Sequence, residues 1–186
     1  MSPNIILIGP SLAGKTTLAK LLGERLNRPV SELDELRWAY AAELDYDAEY
    51  AKQIRETGGM PALAAYWKPF DIHAVERVLA DFPGDSVISF GAGHSVYDDD
   101  TAFKRVQAAL DSHHVVYVRP TPDFDRSIQV LKEQVAALGF DPEGGITTMN
   151  SYFLQHHANP DLATMVVYTK DKTPEETCDE IIEGLN

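Results

Sequence analysis

The chain has 186 residues, 44% of them hydrophobic, and a formal net charge of −13. That length suits one domain around one core, and that charge repels nucleic-acid polyanions, so an anionic ligand must be held by a local cluster of donors. A single cysteine, Cys178, excludes an intrachain disulfide, and MSPNIILIG has no charged stretch leading into an apolar signal core.

In chain order, the run Asn4–Ile8 (NIILI) predicts a buried strand closed by Gly9-Pro10. Residues 9 to 17 then read GPSLAGKTT, in which Gly9, Gly14, Lys15 and Thr16 match G-x-x-x-x-G-K-[ST] between a strand and a helix. In this pattern the glycines let the backbone curl, so that N–H groups across Gly9, Pro10, Ser11, Leu12, Ala13, Gly14, Lys15, Thr16 and Thr17 surround phosphate oxygens; proline, having no N–H, only shapes the curve. The helix end adds its positive dipole, Lys15 reaches the β- and γ-phosphates, and Thr16 ligates Mg²⁺. The expected ligands are ATP and Mg²⁺. Leu18, Leu21, Leu22 and Leu26 mark one face of a helix over Lys15–Leu26.

Val30–Leu33 reads as a second short strand, followed by the helical stretch ELRWAYAAEL. Residues 38–82 are long for one crossover and hold two expected helices, near Asp45–Arg55 and near Trp67–Phe82. The aromatic group Trp38, Tyr40, Tyr66, Trp67 and Phe70 straddles this insertion, as core or as pocket wall. Val87–Phe90 (VISF), Val115–Val118 (VVYV) and Met165–Tyr168 (MVVY) complete a set of five strands. Asp98-Asp99-Asp100 reads as the charged cap of a helix. Neither His113-His114 nor His156-His157 is expected to bind metal, because neighbouring side chains on a helix point apart. Residues 139–147 (GFDPEGGIT) have the composition of a mobile loop. A last helix over Pro174–Leu185 opens with Thr173 as N-cap and Pro174 at its first position. Short apolar strands alternating with helices predict an α/β fold with a parallel sheet covered on both faces.

The phosphate loop, the chain's size and the order of its elements resemble the shikimate-kinase-like branch of P-loop small-molecule kinases. The resemblance implies a three-layer P-loop NTPase sandwich with a five-stranded parallel sheet in the order 2-3-1-4-5. The whole chain would form one such domain, with 38–82 as the substrate-binding insertion and 139–149 as a lid-like loop. That family ends strand two with D-x-D; here Glu32-Leu33-Asp34 stands in that place. The resemblance implies that Asp34 deprotonates or orients the acceptor hydroxyl and that Glu32 holds a magnesium-bound water. Asp34 as a simple helix cap is the competing reading. Gly91-Ala92-Gly93 corresponds to the family's glycine turn, whose N–H groups would approach acceptor or phosphate; a ligand-free turn is the alternative. Thr169–Pro174, with Lys172 and Thr173, corresponds to the adenine loop. Arg126 corresponds to an arginine that stacks on adenine, or is a solvated helix residue.

The chain departs from the family where a carboxylated acceptor is held. An F-R pair is replaced by Phe70-Asp71, the lid AALGFDPEGGITT has no base, and the next helix, expected near Met149-Asn150-Ser151, opens without one. Arg37, Lys68 and Arg119 are the candidate substitutes, and His73 and His94 are candidate uncharged acceptor contacts or core histidines. The expectation is a cytoplasmic kinase, monomer or homodimer, with no membrane or nucleic-acid partner. It phosphorylates the hydroxyl of a small molecule that is neutral, or has a cation facing Asp34, Asp71 or Glu76, with shikimate a poor substrate. A nucleoside, nucleotide or antibiotic kinase is the alternative enzyme, and a nucleotide-dependent switch or ATPase the alternative class.

Overall fold

The structure is a computed structural model that describes residues 2–185. Among these, five parallel strands form one sheet in the order β2-β3-β1-β4-β5. They are β1 (Ile5–Ile8), β2 (Val30–Glu32), β3 (Val87–Ser89), β4 (His114–Arg119) and β5 (Met165–Tyr168). Parallel neighbours need helical crossovers, which cover both faces, and all four residues of the central strand β1 are fully buried.

The period of two along β1 separates two cores. Ile6 and Ile8, with Ile88, Val115 and Tyr117, pack under α3 (Ala48–Asp81) and α4 (Asp100–Leu110) through Val75, Val78, Val106 and Leu110. Ile5 and Leu7, with Val116, Val118 and Val167, face α1 (Lys15–Leu26) and α8 (Pro174–Gly184) through Leu18, Leu22, Cys178 and Ile181. The register Leu7↔Ser89 and Leu7↔Val116 aligns the carboxyl ends of β1, β3 and β4, so the loops leaving them gather at one edge.

Three boundaries differ from the sequence expectation. Strand β2 stops at Glu32, and α2 (Leu33–Ala42) starts at once because Leu33 drops into the core, placing Asp34 in a helical first turn rather than on a strand. The two helices expected in the insertion are the halves of α3, broken at Gly59 (φ 69°, ψ −165°); the second half continues through Pro61 and Pro69, carried by the run MPALAAYW. Helix α6 begins at Gly145 rather than Met149, which shortens the lid-like loop to 139–144; Thr147 Oγ1 donates to Pro142 O and Thr148 N to Gly144 O. Helices α5 (Phe124–Ala137), α6 (Gly145–Gln155) and α7 (Ala158–Leu162) complete the chain. No described helix is long and apolar enough to cross a membrane.

Candidate active site

Strand β1 ends against β4 so closely that a Cβ on Gly9 (φ 134°) would lie 2.2 Å from the Val118 carbonyl oxygen. Only glycine fits there, and it turns the chain out of the sheet into the loop 9–14. Leu12 (φ 67°) and Gly14 (φ 97°) are left-handed, and Gly14 starts α1 with no side-chain cap, so the first N–H groups of α1 face the loop's open side. Lys15 folds back inside this curl and is only 8% exposed. Its Nζ donates to Gly9 O (3.0 Å) and Pro10 O (2.7 Å). Burial pulls the Lys15 ammonium down to about 8, with the Asp34 carboxylate acting in the opposite sense.

Asn150 is a site residue that sequence reasoning passed over. It is fully buried on α6, accepts from Ser11 N (2.8 Å) and donates to Ser11 O (3.2 Å). This pins the helix after the lid loop to the phosphate loop across 139 residues of sequence. An amide at that point carries no local signature; its contact with Ser11, far away in sequence, is the only signal.

A cavity of about 150 Å³ opens beside the loop, lined by Ser11, Leu12, Lys15, Thr16, Glu32, Asp34, Ser89, Phe90 and Ala92. Thr16 Oγ1 donates to Glu32 Oε2 at 3.1 Å, and Lys20 Nζ lies 3.4 Å from Glu32 Oε1. Asp34 has a largely exposed side chain and does not cap α2, whose N-cap is Glu32. Gly91 has an ordinary backbone (φ −64°), but a Cβ on it would lie 2.0 Å from Asp34 Oδ1. Its bare Cα is what lets the carboxylate lie across the turn.

Behind that turn lies a buried charge cluster. His94 is 1% exposed, so it is a core residue and does not line the cavity. Its Nδ1 is 3.3 Å from Gly91 O and 3.8 Å from Asp34 Oδ1, and its Nε2 is 3.6 Å from Asp71 Oδ1. Burial, reinforced by the Arg37 charge, pushes its pKa far down, so the imidazole is neutral. Asp71 is bound by Arg37 Nη2 at 3.2 Å and Lys68 Nζ at 3.6 Å. Lys68 also donates to Gly93 O (2.8 Å) and Val96 O (2.7 Å). The Arg37 guanidinium stands 4.5 Å from the Trp38 ring centre and 4.9 Å from that of Trp67.

Other sequence expectations resolve differently. His73 bonds Glu43 at 2.8 Å beside Arg77, away from the cavity lining. Glu76 is bonded by Arg105 and Asp71 by its two cations, which removes both as partners for a cationic acceptor. Arg119 donates to Pro122 O (3.1 Å) and lies outside the cavity lining, so it supplies no base there. Arg126 meets the loop after β5 through Asp171 (3.4 Å), next to Lys172 and to Thr173, which caps α8. Among the acidic triplet Asp99 caps α4, while Asp98 accepts from Tyr152. The His156 and His157 rings do not point apart but stack at 4.7 Å, because α6 ends and the backbone at His156 is extended. Among the described residues no group of three or more His, Cys, Asp or Glu is placed to hold a metal ion.

The curled loop, the uncapped helix end and an inward ammonium form a donor set that fits a polyphosphate. Thr16 and Glu32 offer two oxygens, the number Mg²⁺ takes from protein when phosphates and water complete its shell.

No protein-family model matches the chain. It is 28% identical to a shikimate kinase of Streptomyces coelicolor over 191 residues, spanning 99% of this chain and 96% of that protein. In three dimensions it is similar to a shikimate kinase from Acinetobacter baumannii in complex with shikimate, with TM-score 0.68, 16% identity and coverage of 100% and 93%. It is also similar to a sugar kinase from Janibacter sp. HTCC2649, with TM-score 0.65, 14% identity and coverage of 100% and 95%. The fold is that of a shikimate-kinase-like P-loop kinase.

Proposed function

We propose that this chain is an ATP-dependent kinase that transfers the γ-phosphoryl group to a hydroxyl of a small metabolite, and that shikimate is not an efficient acceptor. The observation that carries this reading is the pairing of a buried lysine inside an uncapped phosphate loop with an exposed carboxylate, Asp34, on the same cavity. The relatives' names, shikimate kinase and sugar kinase, support small-molecule phosphorylation.

Lys15 and the N–H groups of 9–17 hold the nucleotide's phosphates and spread their charge. Thr16 and Glu32 hold Mg²⁺, which when bound neutralises phosphate charge. Arg126, Lys172 and Thr173 border the adenine. Asp34 accepts the proton of the acceptor hydroxyl as its oxygen bonds to phosphorus, or orients that hydroxyl beforehand. Gly91, Ala92 and Gly93 form the wall against which the acceptor lies. The insertion 38–82 covers the acceptor, and loop 139–144 acts as the lid. Arg37, Lys68 and His94 serve from behind that wall, by positioning Asp71 and Asp34.

The test is ADP release across a panel of hydroxylated metabolites. A kinase consumes ATP quickly only with its acceptor. Slow hydrolysis that no acceptor accelerates would replace this reading with a nucleotide-dependent switch.

A further inference from the structure

Two cations, Arg37 and Lys68, stand behind the 91–93 turn, outside the cavity lining, and neither is free. Arg37 follows Asp34 by one helical turn of α2 and is committed to Asp71 at 3.2 Å. Lys68 is committed to Asp71 and to two carbonyl oxygens of the 91–96 turn. His94, between Asp71 and Asp34, is buried and neutral. The charged groups on the cavity wall itself are Lys15, folded into the phosphate loop, and the carboxylates of Glu32 and Asp34.

We infer that Asp71 is an internal counter-ion that occupies the cationic pair Arg37 and Lys68, and that it thereby restricts the acceptor to uncharged, hydroxyl-bearing molecules. This rests on the kinase reading for the word acceptor, but its physical content is binding selectivity. An acid entering the cavity meets Asp34 and Glu32 with no unspent base beside them, and so gives up its hydration without a charge-assisted partner. A neutral hydroxyl pays far less on entry and bonds well to Asp34.

The cluster's cost supports a selective role. Burial raises the Asp71 pKa above its ordinary value even though Lys68 and Arg37 both pull it down. Buried ion pairs of this kind are seldom the most stable way to fill a core. A carboxylate kept there against its desolvation has a reason beyond packing, and holding two cations away from a ligand is one.

The chain's two tryptophans, Trp38 and Trp67, both flank Arg37, so their emission reports binding at this cluster without any need for turnover. The probes are two matched pairs, shikimate with methyl shikimate and gluconate with sorbitol. Wild type is expected to bind a neutral member at least about tenfold more tightly than its acid, the equivalent of one charge-assisted bond missing. Asp71→Asn keeps the shape, removes the counter-ion of Arg37 while Lys68 keeps its two carbonyl partners, and is expected to narrow that ratio about tenfold or invert it. An acid bound as tightly as its neutral partner by wild type, no neutral member bound, or a ratio unmoved in Asp71→Asn overturns the proposal. If Asp71→Asn does not fold, the wild-type ratio decides alone. Neutral preference without acceptor-dependent ADP release would defeat the kinase reading and leave the role of Asp71 standing. Release with acids preferred would do the reverse.

Discussion

Gly91→Ala is the sharpest probe of Asp34, because it moves the carboxylate without touching it. The backbone at Gly91 (φ −64°) suits alanine, so the new methyl brings no backbone strain. Its Cβ would start 2.0 Å from Asp34 Oδ1, 2.6 Å from Cγ and 2.7 Å from Oδ2, whereas ordinary contact begins at 3.4 Å. The carboxylate must therefore retreat by about 1.4 Å, and a misplacement of about 1 Å in a reacting group costs on the order of 10²-fold in rate. Folding should hardly notice: Asp34 is exposed and can swing into solvent, so the stability change should stay within about 0.5 kcal/mol. The expected result is a kcat lowered about 10²-fold in acceptor-dependent ADP release, with ATP affinity and Tm near wild type. Gly93→Ala is the comparison for a methyl on the same turn that leaves Asp34 in place, since its Cβ would meet nothing closer than Asp71 Oδ2 at 3.9 Å; any change it brings should fall on acceptor KM rather than kcat. In an Asp34→Asn background the Gly91 change should add little, because both act on one group. Undiminished kcat in Gly91→Ala, or losses that multiply in the double variant, would refute the positioning argument.

Asp34→Asn alone should lower kcat while sparing ATP affinity; as the cap of α2 is Glu32, no helix-capping loss confuses the result, and a normal kcat would remove Asp34 from the chemistry. Lys15→Ala should weaken ATP binding and abolish turnover, with unchanged affinity counting against the phosphate loop. Because the Lys15 ammonium titrates near 8 in the ligand-free fold, ATP affinity should fall as pH rises through about 8, and an affinity flat from about pH 7 to 9.5 would contradict the buried site. The same depression has an opposite sign for stability: the unfolded lysine keeps its proton to about 10.5, the fold loses it near 8, and so ligand-free stability contributed by this group rises between those values. Asn150→Ala should cost about 1–3 kcal/mol in denaturant unfolding, because Ser11 N–H and C=O lose their buried partner, and should loosen α6 from the phosphate loop.

Much of this fold is written locally. IILI (Ile5–Ile8) is apolar at every position because β1 is buried on both faces, and the glycines of GPSLAGKTT stand where the chain must turn through left-handed backbone. Such signals need no distant partner. The acceptor side does need one. Asp71 reads in sequence as an acid where a base was expected; its meaning depends on Arg37, 34 residues earlier, and on Lys68 one helical turn away. His73 and His94 look equivalent by composition, yet one bonds Glu43 at the surface and the other is sealed under the glycine turn. Gly91 was legible as a close approach, but the group approaching it is the protein's own carboxylate. Loop 139–144 ends early because Pro142 and Gly144 accept the side chain of Thr147 and the backbone of Thr148, bonds that glycine-rich composition hides.

The distribution of charge also bears on how such a site would work without a base in its lid. Loop 139–144 has no lysine or arginine, and the nearby Lys132 is held by Glu143 at 2.7 Å. Arg126 lies out by Asp171 on the adenine side, and Arg37 and Lys68 are held by Asp71. Negative charge developing on a transferred phosphoryl group therefore meets Lys15 and the N–H groups at the start of α1. Both belong to a rigid loop pinned through Ser11 to Asn150, so stabilisation of this kind requires no lid closure to deliver it. What lid movement would still contribute is exclusion of water. An enzyme built this way should separate the two effects: changes in 139–144 should raise ATP hydrolysis relative to transfer, while changes in Lys15 should depress both together.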